Sequence, residues 1–116
     1  MERTLTIAQL NAILDRLDCS DANTWIAVFI HAGNAYRGTS LESMALDACT
    51  AWARRYCDRN ERTDRQRELN AWRAHGRTSS PAGALVNMGY RAGLSKADLF
   101  GKRQGGRFKP DSPEYF

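Results

Sequence analysis

Apolar residues recur at helical spacing along most of the chain, and the stretches are separated by residues that start or end helices. In the first stretch, Ile7–Leu17, they lie three or four positions apart, beginning at the capping-box sequence Thr6-Ile7-Ala8-Gln9. The second stretch follows the N-cap candidates Ser20 and Asp21 and is apolar over much of its circumference, which is typical of a central bundle helix. We expect this helix to weaken into a loop or frayed turn over residues 34–38.

Three further helices are predicted in the next part of the chain. Helix 3 begins at a second capping box, Thr39-Ser40-Leu41-Glu42, and extends to about Tyr56. Helix 4 follows a third capping signal, Thr63-Asp64-Arg65-Gln66, and ends near Gly76. Pro81 suits the first position of helix 5, because its missing N–H would have no helical partner there.

The end of the chain has a different character. Gly93 is placed to end helix 5, and Ser95-Lys96-Ala97-Asp98 predicts one further turn. Residues 101–116 are basic and rich in glycine without periodicity, which predicts a mobile tail. Since no stretch alternates as a strand would, we predict an all-α fold: a compact bundle of five to six short helices over residues 1–100, followed by a basic flexible tail over 101–116.

Three tryptophans are predicted to hold this bundle together. Trp25, Trp52 and Trp72 each fall on the apolar side of a predicted helix, and Leu69 is expected to accompany Trp72 on the inner side of helix 4. A packed tryptophan buries roughly 200 Å², so each contributes strongly to a small core. We therefore interpret the tryptophans as scaffold, with base stacking as the alternative.

The net charge of +4 is distributed unevenly along the chain. Residues 1–50 carry three Lys and Arg against six Asp and Glu, whereas the remainder carries fourteen against seven. Arginine dominates this basic half, and its planar guanidinium binds phosphate in a bidentate manner. This polarity favours a nucleic-acid partner, although an acidic protein partner or simple solubility would also account for it.

The candidate phosphate contacts lie on helices 3 and 4, between them, and in the tail. They are Arg54, Arg55, Arg59, Arg62, Arg65, Arg67, Arg73, Lys102, Arg103 and Arg107.

The remaining polar residues show no signature of catalysis. His31 and His75 have no second ligand at metal spacing and are interpreted as surface or capping histidines. The acidic residues lie among arginines in the pattern of solvated pairs such as Asp58 with Arg62 and Asp64 with Arg67. We therefore predict no catalytic residues, no metal and no cofactor.

The cysteines and the hydropathy of the chain indicate its cellular compartment. Cys19, Cys49 and Cys57 are odd in number and show no metal-binding spacing, which indicates free thiols. No run approaches the roughly 20 apolar residues that span a bilayer. These features predict a soluble, cytoplasmic protein without a membrane partner.

Several of these segments resemble, in order and spacing, the second family of primase C-terminal domains, helical modules of phage and plasmid replication proteins. The resemblance covers about residues 10–94. It rests on Asp21-Ala22-Asn23-Thr24-Trp25-Ile26-Ala27-Val28, on Ala51-Trp52-Ala53-Arg54-Arg55-Tyr56, on Asp64 and Trp72, and on Gly83-Ala84-Leu85 to Ala92-Gly93-Leu94. Ala53 stands where that family usually has serine, and Ile30-His31 replaces a pair of small apolar residues.

The resemblance implies a non-catalytic module that contacts single-stranded DNA or couples a primase to its helicase. It implies no primer synthesis, because the metal-binding carboxylates of that activity belong to another domain. Single-stranded DNA is thus the expected ligand, with duplex DNA or RNA as alternatives. A second hypothesis is a phage or plasmid interaction module that inhibits or recruits a host or replication protein.

Overall fold

The computed structural model describes residues 5–58, 60–74 and 80–100, and every regular element in these ranges is an α-helix. The all-α prediction is therefore confirmed. The helices are α1 (Ile7–Leu14), α2 (Ala22–Tyr36), α3 (Glu42–Ala53), α4 (Glu61–Arg73), α5 (Pro81–Arg91) and α6 (Lys96–Phe100). The predicted mobile tail over 101–116 lies outside the described residues. α4 ends at Arg73, because Ala74 is extended, and so it stops before the predicted end near Gly76.

The helix starts depend on side-chain caps. The predicted capping box at Thr6 is present, with the Thr6 hydroxyl accepting from the Gln9 N–H and the Gln9 side chain accepting from the Thr6 N–H. Asp21 caps α2 by accepting from the N–H of Thr24 at 2.9 Å. Pro81 is the first residue of α5, as predicted. These helix starts could be predicted from the sequence because capping is local: a capping side chain satisfies a backbone N–H that the helix itself leaves without a partner.

The ends of α1 and α2 differ from the prediction. α1 stops at Leu14 rather than at Leu17, because the chain tightens into i to i+3 hydrogen bonds from Arg16 and Leu17. α2 continues to Tyr36 through the predicted loop. Tyr36 is buried, and its hydroxyl donates to the Leu5 carbonyl at 3.0 Å, so tertiary packing keeps the last turn helical.

The predicted caps of helices 3 and 4 were displaced. α3 begins at Glu42 with no side-chain cap, and it ends at Ala53, before the predicted Tyr56. α4 begins at Glu61, because the Asn60 side chain accepts from the N–H groups of Arg62 and Thr63. The capping signal assigned to Thr63 was therefore wrong, and Asn60 supplies the actual cap.

α2 is the central helix of the bundle. It packs against α3, α4 and α5, while α1 packs against α3, α5 and α6. Gly33 permits a close contact between α2 and α4, because a Cβ atom there would overlap the Trp72 carbonyl oxygen and lie 2.9 Å from the Trp72 Cα. The backbone of α4 thus rests directly on α2 at this point.

The predicted burial of the three tryptophans is confirmed. Trp25 and Trp52 are 1% exposed and Trp72 is 4% exposed. Each indole N–H has an acceptor: Trp25 donates to Glu68 at 2.9 Å, Trp72 to Glu42 at 3.0 Å and Trp52 to the Leu17 carbonyl at 3.4 Å. The tryptophans therefore anchor the helices by packing and by polar contacts that leave no indole N–H unsatisfied.

Candidate nucleic-acid interface

A buried carboxylate organises part of the predicted arginine surface. Glu68 lies on the inner side of α4 and is 0% exposed. The two terminal guanidinium nitrogens of Arg54, Nη1 and Nη2, donate to it at 2.7 and 3.0 Å, and Arg65 approaches it at 3.5 Å. Trp25 supplies a further hydrogen bond, so the negative charge is paired and surrounded by donors, as a buried ion requires.

Glu68 also corrects two sequence-based expectations. The acidic residues among the arginines were expected to form solvated pairs, and Leu69 was expected to face inward. The inner side of α4 is formed instead by Glu68, Ala71 and Trp72, while Leu69 is half-buried beside them. Glu68 lies one turn before Trp72, and this i to i+4 spacing was the signal available in the sequence.

Arg54 and Arg65 are therefore tied to the fold. Arg65 donates to the Thr50 hydroxyl at 2.6 Å in addition to its contact with Glu68. Together the two arginines link α4 to α3 and to the turn that follows α3. A contact of either arginine with phosphate stays a prediction, and each would have to make it while holding Glu68.

Two other candidates have partners at the surface. Arg55 pairs with Asp15 at 2.9 Å, and both side chains are exposed. Arg67 lies over the ring of Trp25, 5.3 Å from its centroid, and 4.0 Å from Asp64, as the i to i+3 spacing indicated. An exposed ion pair such as Arg55–Asp15 contributes about 0–1 kcal/mol, so a polyanion can displace Asp15 at little cost.

The outer side of α4 carries the remaining described candidates, Arg62 and Arg73, both exposed. The expected pair of Arg62 with Asp58 does not form: the ion pairs of the described residues do not include it. Between them lie Gln66 and Asn70, also exposed, and the Gln66 Nε2 donates to the Asn70 Oδ1 at 3.0 Å. Positions 62, 66, 70 and 73 recur at helical spacing and form one stripe about 16 Å long. We call these four residues the α4 outer stripe.

The stripe is free of acidic residues. Asp64 is half-buried and accepts from the Asn60 N–H at 2.7 Å, and Glu68 faces the core. Both lie on the side of α4 opposite the stripe. Asp64 is two residues from positions 62 and 66, Glu68 is two residues from positions 66 and 70, and two residues turn an α-helix by about half a circle. The stripe therefore presents two positive charges with no described carboxylate of α4 beside them.

The net positive charge of the chain lies elsewhere. Residues 5–58, 60–74 and 80–100 together hold ten Lys and Arg and ten Asp and Glu, so this part is formally neutral. Arg59, Lys102, Arg103 and Arg107 lie outside the described residues. The described interface candidate is thus a local arginine and amide surface on a neutral body.

Among the described residues, no group of three or more His, Cys, Asp or Glu is placed to hold a metal ion. His31 is half-buried rather than on the surface, its Nδ1 has no hydrogen-bond partner in the described part of the chain, and burial lowers its pKa. His75 lies outside the described residues.

No protein-family model, curated protein or solved structure matches this chain. The resemblance to primase C-terminal domains therefore stays a hypothesis based on the segments quoted above. None of the described helices is both long and apolar enough to cross a membrane.

Proposed function

We propose that this chain is a non-catalytic, cytoplasmic DNA-binding module, which serves as an accessory of a phage or plasmid replication apparatus. The observation that carries the proposal is the α4 outer stripe, where Arg62 and Arg73 are exposed on a helix side without described carboxylates. Arginine binds phosphate through paired N–H donors, and exposed arginines that lack intramolecular partners can do so without breaking the fold. The replication context rests on the resemblance to primase C-terminal domains.

Arg55 and Arg67 extend the proposed surface beyond the stripe. Their carboxylate partners, Asp15 and Asp64, are held at 2.9 and 4.0 Å in exposed or partly exposed pairs. Phosphate would exchange with these partners, so the two arginines add charge at a cost that Arg62 and Arg73 do not have. Arg62 and Arg73 are accordingly the residues whose replacement tests the proposal most directly.

A salt titration of oligonucleotide binding tests this function. Fluorescence anisotropy with labelled DNA should give a log K that falls linearly with log salt concentration, with a slope of about 0.7 per phosphate contact for a single strand and about 0.9 for a duplex. The double substitution R62Q/R73Q should weaken binding and reduce the slope by about 1.4 to 1.8.

The matched control is Arg91→Gln. Arg91 is exposed at the end of α5, which packs on α1 and α2, and its replacement changes the charge without touching α4. It should leave the slope nearly unchanged. If oligonucleotides fail to bind even at about 50 mM salt, where phosphate contacts are strongest, the proposal is wrong.

The second candidate function is a protein-interaction module that binds a host or replication protein. Met44 favours it, because this large apolar side chain is 54% exposed on α3. The pairing of Arg54 and Arg65 with Glu68 also favours it, because it removes two charges from the surface available to DNA. In that case Met44→Ala would weaken binding to the partner strongly, whereas R62Q/R73Q would have little effect.

A further inference from the structure

The α4 outer stripe contains more than positive charge. Its two central positions are amides, and the Gln66 Nε2 donates to the Asn70 Oδ1 at 3.0 Å. This bond uses one N–H of Gln66 and leaves the Gln66 carbonyl oxygen as an acceptor and the Asn70 amide nitrogen as a donor. A donor and an acceptor are thus held side by side on an exposed helix surface, between two arginines.

From this arrangement we infer that the module binds duplex DNA with α4 in the major groove, where Gln66 and Asn70 contact an adenine edge while Arg62 and Arg73 contact the flanking phosphates. The inference rests on the proposed function and specifies its ligand. Adenine presents an acceptor at N7 and a donor at its 6-amino group in the major groove, and side-chain amides are its usual partners there.

The position of α4 in the bundle allows such an approach. Among the described helices, α2 is the one against which α4 packs extensively. On the other side of α4 the four stripe residues are exposed, and a major groove about 12 Å wide admits a single α-helix. Leu69, half-buried at the border of the stripe, provides an apolar surface of the kind that meets a thymine methyl group.

The placement of the aromatic residues favours a duplex over a single strand. Proteins that hold single strands stack successive bases on exposed aromatic side chains. Here all three tryptophans are buried in the core, and α4 has no other aromatic residue. Among the described residues, the exposed aromatic side chains are Tyr90 and Phe100, and they lie on α5 and α6 rather than on α4.

The test uses the full 116-residue chain and a pool of randomised duplexes. Duplexes bound by the protein are recovered and sequenced, and the affinity for the selected sequence is compared with that for a scrambled duplex and for the corresponding single strand. We expect the selected sequence to contain adenine at a preferred position and to bind more tightly than either comparison.

The double substitution Q66A/N70A should remove this preference. It should lower affinity for the selected duplex by about 5- to 150-fold, the range expected for one bidentate base contact, while binding to scrambled duplex and its salt slope stay unchanged. R62Q/R73Q should instead weaken both duplexes equally. Asn87→Ala, which removes an exposed amide from α5, is the matched control and should have no effect.

The outcomes separate this inference from the function on which it rests. Salt-dependent DNA binding without sequence preference, a preference that survives Q66A/N70A, or tighter binding to the single strand would overturn the inference and leave the DNA-binding function standing. A complete lack of DNA binding would overturn both. Circular dichroism of each variant establishes that α4 is intact, and alanine at two exposed helix positions is expected to preserve it.

Discussion

The indole N–H of Trp25 donates to the carboxylate of Glu68 at 2.9 Å, and both side chains are almost completely buried. The same carboxylate accepts hydrogen bonds from Nη1 and Nη2 of Arg54. A single acidic residue thus connects α2, α4 and the turn after α3. The charge of Glu68 is acceptable in the interior because its partners replace the hydrogen bonds of water.

Removal of this carboxylate should destabilise the fold severely. Glu68→Ala leaves the Trp25 indole and the Arg54 guanidinium without their partner, and breaking a buried pair in this way costs about 3–5 kcal/mol. Urea denaturation followed by circular dichroism measures the change in the free energy of unfolding. Glu68→Gln retains a carbonyl acceptor and should cost less, which keeps the effect measurable if the alanine variant does not fold.

The control for Glu68 is an exposed carboxylate. Asp47→Ala, on the outer side of α3, should change the free energy of unfolding by no more than about 0.5 kcal/mol. A cost below about 1 kcal/mol for Glu68→Ala would show that the network contributes little to stability.

The sequence was sufficient to predict the helices because caps and apolar periodicity act over a few residues. Trp25, Trp52 and Trp72 follow that periodicity, and all three are buried. The capping box at Thr6 and the start of α5 at Pro81 were likewise local properties. Where tertiary contacts decide, as at Tyr36 in the last turn of α2, the helix continues further than the sequence indicated.

The candidate interface was less predictable. Seven of the ten proposed contacts fall on residues 54–73, but sequence alone could not sort them into paired and unpaired arginines. The partners of Glu68 lie 14 and 43 residues away, at Arg54 and Trp25. Since α4 contains few apolar residues, its hydrophobic pattern is weak. That pattern predicted Leu69 on the inner side of the helix and left Glu68 in solvent.

Gly33 should be intolerant of even a methyl group. A Cβ atom at this position would overlap the Trp72 carbonyl oxygen, and a helix backbone cannot move aside as a side chain can. We expect Gly33→Ala to destabilise the protein by about 2–3 kcal/mol, despite the higher helix propensity of alanine. Gly38→Ala is the comparison, because Gly38 has φ +80° and open space around it, and strain alone should cost about 1 kcal/mol. Thermal unfolding in which Gly33→Ala is at least as stable as the wild type would disprove the close contact.

The three cysteines should differ in reactivity. Cys57 is exposed and Cys19 is partly exposed, whereas Cys49 is buried. Burial, and to a smaller extent the charge of Glu68, raises the pKa of the Cys49 thiol to about 12. Because the thiolate is the reactive form, Cys49 should resist alkylation in the native protein at pH 8. Pulse labelling with iodoacetamide and mass spectrometry should show Cys57 modified first and Cys49 only in denaturant. Equal rates for these two thiols would contradict the buried position of Cys49.

Glu42 should make stability depend on pH in the acidic range. The Trp72 indole donates to its carboxylate at 3.0 Å and the Gly38 N–H at 3.1 Å, and these hydrogen bonds, with the charge of Arg37, lower the Glu42 pKa from its ordinary value of 4.5. The folded state therefore favours the ionised carboxylate. Its stabilising effect is complete above pH 4.5 and is lost as the pH falls through the lowered pKa of the folded protein.

Glu42→Gln isolates this contribution, because glutamine keeps a carbonyl acceptor for the indole but cannot ionise. The wild type should lose part of its free energy of unfolding as the pH falls below 4.5, and the variant should lose less over the same range. Chemical denaturation at a series of pH values measures both curves. Nuclear magnetic resonance titration of the Glu42 carboxyl group provides the direct check, since a pKa at or above 4.5 in the folded protein would refute the assignment.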